Sequence, residues 1–117
     1  MTRPLALLLA TALAGAAQAD PPEILSAVAD RQGDGWRVSV TLRHPDTGWE
    51  HYADGWRIET GDGTVLGTRV LVHPHEQEQP FTRALSGVAL PEGVPLFVRA
   101  RCLVDGWGTG LVPLERR

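Results

Sequence analysis

Trp36-Arg37-Val38-Ser39-Val40-Thr41-Leu42-Arg43 alternates apolar and polar side chains without a break. In an extended chain successive side chains point to opposite faces. This period of two therefore sets Trp36, Val38, Val40 and Leu42 on a buried face and Arg37, Ser39, Thr41 and Arg43 toward solvent. The stretch reads as a half-buried strand, and the same rhythm returns further along. Leu96, Val98, Ala100, Cys102 and Val104 share one face of a second run, opposite Arg99 and Arg101, so the cysteine falls on the inward side. Shorter runs at 23–31, 55–60, 64–72, 82–90 and 109–114 are each bounded by turn residues, and nothing after the first twenty residues carries a helical period. Seven short strands in one small domain predict an all-β antiparallel sandwich of the immunoglobulin-like or fibronectin type III-like kind. Gly33-Asp34-Gly35, Gly61-Asp62-Gly63 and Pro91-Glu92-Gly93 read as tight turns. Gly87 reads as a bulge that brings Leu85, Val88 and Leu90 to the core face together. Trp36 and Trp56, both at apolar strand positions, read as core tryptophans between the sheets.

The start of the chain carries a different message. Arg3 is followed by an apolar run from Pro4 to Gly15 and then by Ala17-Gln18-Ala19, the small-x-small pattern of a signal peptidase site. A signal peptide over 1–19, cut between Ala19 and Asp20, is expected, leaving a domain over 20–117 that is periplasmic or secreted. The apolar run is shorter than the roughly 20 residues that span a bilayer. No cysteine stands at the cut, so a lipid anchor is not expected, and no twin-arginine pair precedes the run. Eleven basic residues, all arginine, face fourteen acidic ones for a net charge of −3, which gives no electrostatic basis for binding nucleic acid. Cys102 is the sole cysteine, so stability rests on the core rather than on an intrachain disulfide.

The loops carry the functional signal. If antiparallel strands follow one another, connections alternate between the two ends of the sandwich. The glycine-rich turns then share one end, and the connections at 44–54, 73–81 and 104–108 share the other. All four histidines lie in the first two of those loops. Long loops on a rigid scaffold are where binding residues concentrate. In His73-Pro74-His75 the proline holds His73 extended, so both imidazoles project to roughly the same side and can share a metal ion. His51 is the expected third ligand, with His44 and Glu78 in reserve. Imidazole ligands suit copper, with zinc second. Methionine is absent after Met1, which excludes a thioether-rich copper(I) site. His44 continues the inward parity of its strand and also reads as a capped core histidine. Cys102 reads as a small core hydrophobe, and its position leaves a mixed His and Cys site open.

A second reading uses the same end as a non-catalytic interaction module, with Trp49, Tyr52 and Trp107 as a platform for a protein or glycan. An enzyme is not expected: there is no Gly-x-Ser-x-Gly, no His-Glu-x-x-His and no phosphate loop. The stretch from Trp36 to Arg83, with His44-Pro45-Asp46-Thr47-Gly48-Trp49-Glu50-His51-Tyr52-Ala53-Asp54-Gly55-Trp56 and then His73-Pro74-His75 leading to Glu78-Gln79-Pro80-Phe81-Thr82-Arg83, resembles small secreted bacterial proteins of uncharacterised function. The resemblance implies that the two loops form one feature; it implies no activity, cofactor or partner.

Overall fold

A computed structural model describes residues 21–117; the expected signal peptide and its cut at Ala19 lie outside them. Nine β-strands and no helix are found among the described residues: β1 (Glu23–Gln32), β2 (Gly35–Arg43), β3 (Ala53–Thr60), β4 (Val65–Val70), β5 (Phe81–Val88), β6 (Leu96–Cys102), β7 (Gly106–Trp107), β8 (Val112–Pro113) and β9 (Glu115–Arg116). They form two sheets in an open sandwich. One has the order β5-β2-β1-β9 and the other β4-β3-β6-β7, with β8 also paired to β6.

The alternating stretch at Trp36 is β2, the centre of the first sheet. It pairs antiparallel with β1 from Glu23↔Arg43 to Gln32↔Gly35, closing through the turn at Gly33. On its other side it pairs with β5, where the register slips between Trp36↔Val88 and Val38↔Leu85. Ser86 and Gly87 there oppose one residue, and Gly87 has φ of 69°. This is the expected bulge: Val88 and Leu90 are buried, and Leu85 packs against the core.

Between the sheets lie Trp36, Val38, Val40 and Leu42 from β2, Ala27 and Ala29 from β1, Trp56 and Ile58 from β3, and Leu96, Val98, Ala100 and Cys102 from β6. Trp56 is wholly enclosed. Burying such a tryptophan contributes a few kcal/mol, about 3–5 by the usual cost of its truncation to Ala.

The strand count departs from seven at the C-terminus. The run expected at 109–114 is broken into pieces of two residues, β8 against β6 and β9 parallel to β1. Pro113 has no N–H to donate, so pairing cannot propagate through it. The chain crosses from one sheet to the other there, with Leu114 buried at the crossing. Strand β6 also stops at Cys102, two residues before the apolar pattern does, leaving Leu103 and Val104 exposed.

The pairings Leu42↔Phe81 and Ala53↔Cys102 put the end of β2, the start of β5, the start of β3 and the end of β6 at one end of the sandwich. The loops 44–52, 71–80 and 103–105 meet there, as the alternation of connections requires.

Candidate functional site

His44 is the first residue past β2 and keeps the inward direction of Leu42, so its ring enters the end of the core; the residue is 1% exposed. Pro45 follows, and the Asp46 N–H donates to the His44 carbonyl at 2.8 Å, a three-residue turn that suits the fixed φ of proline. The turn swings the Asp46 carboxylate back under the ring, where Oδ1 lies 2.6 Å from His44 Nδ1. The same carboxylate accepts the Ala53 N–H at 3.0 Å on Oδ1 and the His75 N–H at 2.8 Å on Oδ2. A carboxylate only accepts, so His44 Nδ1 carries a proton, and in the neutral ring Nε2 is the nitrogen with the lone pair. Nε2 is buried and has no hydrogen-bond partner.

Two further potential ligands lie beside the His44 ring. His51 closes a small turn with Gly48: its N–H donates to the Gly48 carbonyl at 3.2 Å, and its carbonyl accepts the Thr47 N–H at 3.0 Å. Gly48 sits at φ of 136°, a conformation that costs a side-chain-bearing residue strain. The His51 ring meets that of His44 edge to face at 4.8 Å between centroids, and its Nε2 lies 3.7 Å from Cys102 Sγ. Cys102, the last residue of β6, is wholly buried. Its sulfur accepts the Asp105 N–H at 3.3 Å and its S–H faces Asp105 Oδ2 at 3.4 Å. Burial, and after it the facing Asp105 carboxylate, pushes the thiol above its ordinary value of 9.0, against hydrogen bonds from the backbone at 105 and 104 that pull it down.

Ligand atoms of His44, His51 and Cys102 thus lie within 4.8 Å of one another. Bond lengths of about 2.0 Å to nitrogen and 2.3 Å to sulfur require ligand atoms about 3.3–3.8 Å apart. The His51 to Cys102 separation already meets that, and the widest pair needs about 1 Å of closure. His51 is the half-exposed member, so the site has one edge toward solvent.

The residues expected at the centre of the metal site have other surroundings. The His73 and His75 rings do lie together, with centroids 4.5 Å apart. His73 is exposed, with Nδ1 3.2 Å from the Pro74 carbonyl. His75 is buried, stacked on Phe81 at 3.9 Å, and its Nε2 accepts from Arg83 Nη2 at 2.9 Å. Burial first, then the Arg83 guanidinium and His73, push His75 below its ordinary value of 6.5, outweighing the opposite pull of Asp46 and Glu78. Glu78 pairs with Arg83 at 3.2 Å. None of the three belongs to the clustered group. Their loop instead braces it: Gln79 Nε2 donates to the His75 carbonyl at 2.8 Å, while Gln79 Oε1 accepts the His44 N–H at 3.0 Å.

Of the aromatic residues, Trp49 is 67% exposed at the tip of the turn that holds His51, and Tyr52 meets it edge to face at 5.9 Å. Trp49 also borders a cleft of about 540 Å³ lined by His73, Pro74, Glu76 and Arg83. Trp107 is engaged elsewhere, with the Arg57 guanidinium over its ring at 4.0 Å and that of Arg101 at 5.4 Å.

No family model matches the chain. It is 44% identical over 71 residues to a protein of Halomicrobium mukohataei named "Putative lipoprotein", a match covering 60% of this chain and 34% of that protein. The matched stretch therefore spans about a third of the length of its relative. No solved structure matches.

Proposed function

We propose that this is an extracytoplasmic, non-catalytic β-sandwich protein that binds a transition metal, copper before zinc, through His44, His51 and Cys102. The buried, unpartnered Nε2 of His44 carries this reading, because a polar atom removed from water without a partner is costly unless something fills its lone pair. Nδ1 of the same ring is held by a carboxylate, the arrangement that orients metal-ligating histidines. A closed structural zinc site takes four protein ligands, whereas the group found among the described residues has three. Two imidazoles and a thiolate fit copper better. The sheet order, with two facing sheets of mainly antiparallel strands, supports an immunoglobulin-like or fibronectin type III-like assignment. An envelope location is supported by the apolar segment before Ala19 and by the relative's name. No helix is long and apolar enough to cross a membrane among the described residues.

Calorimetric titration with copper(II) and zinc(II) tests the assignment. Copper is expected to bind submicromolar, with affinity lost on His51→Ala and kept in the double variant His73→Ala, His75→Ala. Loss in the double variant with affinity kept in His51→Ala would move the metal to the His73 loop, and no binding in the unsubstituted protein would end the metal reading.

A second reading rests on Trp49. An indole 67% exposed beside Tyr52 and a cleft suits a stacking platform for a sugar ring or a peptide side chain. Loss of partner capture on Trp49→Ala, with copper affinity unchanged, is the result that would favour it.

A further inference from the structure

We propose that the His44, His51 and Cys102 cluster is a one-electron site, in which copper alternates between the +2 and +1 states while bound to the Cys102 thiolate. This rests on the copper reading above and adds what the bound ion does. The donor set is the first argument. A thiolate suits copper(I) and imidazole suits copper(II), so a site with one sulfur and two nitrogens holds both states and need not release the ion on reduction. Trigonal coordination by two histidines and a cysteine is the donor pattern of electron-transfer copper, and a strong fourth protein ligand is absent from the group found among the described residues.

Rigidity is the second. His44 is fixed by Asp46 at Nδ1 and by Gln79 at its backbone, and Asp46 is itself held by two N–H groups, one from the start of β3 and one from the 71–80 loop. Cys102 ends a strand paired to β3 at Ala53. Ligands clamped this way keep nearly the same positions in both oxidation states, which lowers the rearrangement that accompanies each transfer. The Asp105 N–H on Cys102 Sγ is a hydrogen bond of the kind that sets the potential of a copper thiolate.

Burial also prevents a side reaction. Copper(II) ordinarily destroys thiolates: two thiolates and two copper(II) ions give one disulfide and two copper(I) ions. That reaction needs two sulfurs to meet. Cys102 is wholly buried and is the only cysteine in the chain, so neither an internal nor an intermolecular partner reaches it. When copper(II) binds, the Cu–S bond replaces the Cys102 S–H bond and its proton leaves to solvent; the exchange that then remains is reversible. One electron from a donor converts the copper(II) thiolate to the copper(I) thiolate, with no bond broken and no proton lost, and an acceptor takes it back. His51, half-exposed, is the edge through which it passes. The partner's class is a one-electron carrier, for which ascorbate and ferricyanide serve as probes.

One equivalent of copper(II) is added to the purified protein without oxygen, followed by desalting, copper analysis, visible absorption and thiol counting. The expected result is a persistent thiolate-to-copper(II) absorption, bleached by ascorbate and restored by ferricyanide over repeated cycles, with copper and the thiol both retained. Cys102→Ser abolishes the absorption. His51→Ala, at a half-exposed position that the fold tolerates, lowers copper retention by more than about 10-fold. If copper stays bound but the colour never forms, or fades as disulfide-linked dimer appears, the site binds metal without carrying electrons and this inference is overturned alone. Failure to retain copper at all overturns the binding assignment with it.

Discussion

Asp46 holds the His44 ring by Nδ1, 2.6 Å from its Oδ1, in a position beside His51 and Cys102. One carboxylate thereby fixes a proton on Nδ1, orients the ring and joins three segments, since it also accepts the N–H groups of Ala53 and His75. Replacing it with an isosteric amide turns one of its two accepting oxygens into an N–H donor, so at least one of the His44, Ala53 and His75 donors loses its acceptor. Asp46→Asn is expected to weaken copper binding about 10- to 100-fold, as for other groups that orient ligating histidines. It is also expected to cost about 1–3 kcal/mol of folding stability. Copper titration and urea denaturation of the same preparation separate the two effects; an unchanged affinity would show that His44 is not a ligand.

His75 and His73 differ sharply despite their shared motif. His75 is buried, stacked on Phe81 and bonded to Arg83, so His75→Ala is expected to cost about 2–4 kcal/mol, whereas the exposed His73→Ala is expected to stay within about 0.5 kcal/mol. The sign of the pH dependence follows from the direction of the shift. A depressed folded value means that the unfolded chain takes up a proton first, so the stability contributed by neutral His75 is present above the ordinary 6.5 and declines as pH falls through and below it. Urea midpoints measured from about pH 7.5 to about pH 5 should fall in the parent and less steeply in His75→Phe.

The fold was legible because β2 buries one face cleanly. Trp36, Val38, Val40 and Leu42 alternate with polar residues, and such a strand fixes the positions of its neighbours. The C-terminal strand was not legible as drawn, because an apolar pattern at 109–114 says nothing of a missing donor at Pro113 or of a change of sheet at Leu114. For the clustered side chains, parity was informative as far as it went. It placed His44 and Cys102 inward, which is correct, and inward residues read as core. What parity omits is that Cys102 ends β6 and His44 follows directly on β2, two strands of opposite sheets that end side by side, with His51 arriving from a loop. Two polar or sulfur-bearing inward residues at the same end of two strands were the available signal. The His-Pro-His motif drew attention by its spacing, yet spacing does not reveal that Arg83, eight residues beyond His75, takes up the Nε2 of that ring.

Glu59 offers a test on the outer face of the second sheet, away from any ligand. It is buried beneath two arginines, accepting Arg57 Nε at 2.7 Å and Arg99 Nε at 2.7 Å. Burial pushes its carboxyl up, but the hydrogen bonds and charges of Arg99 and Arg57 more than offset this and hold it below the ordinary 4.5. The stability it contributes is therefore complete above that value and is lost as pH falls below it. Glu59→Gln, which leaves both guanidiniums without their counter-charge, is expected to cost about 3–5 kcal/mol at neutral pH. Its denaturation midpoint should also vary less than the parent's below about pH 4.5, and parallel pH profiles for the two proteins would refute the pairing argument.

Trp49 and His51 belong to one tight turn, closed by the His51 N–H on the Gly48 carbonyl. That closeness makes the exposed indole a reporter of the site. Copper(II) held at His51 lies two residues away along a constrained backbone and should quench Trp49 strongly. The other three indoles have different settings: Trp56 wholly enclosed, Trp36 in the core, and Trp107 between Arg57 and Arg101. Trp49→Phe is expected to change stability by less than about 0.5 kcal/mol, as for an exposed position, while removing most of the copper-dependent quenching. Trp107→Phe should leave that quenching in place and instead lower stability by about 1 kcal/mol through its lost stacking with the arginines. If Trp49→Phe quenches as fully as the parent, the ion is not seated at His51, and the site must be sought elsewhere on the same end.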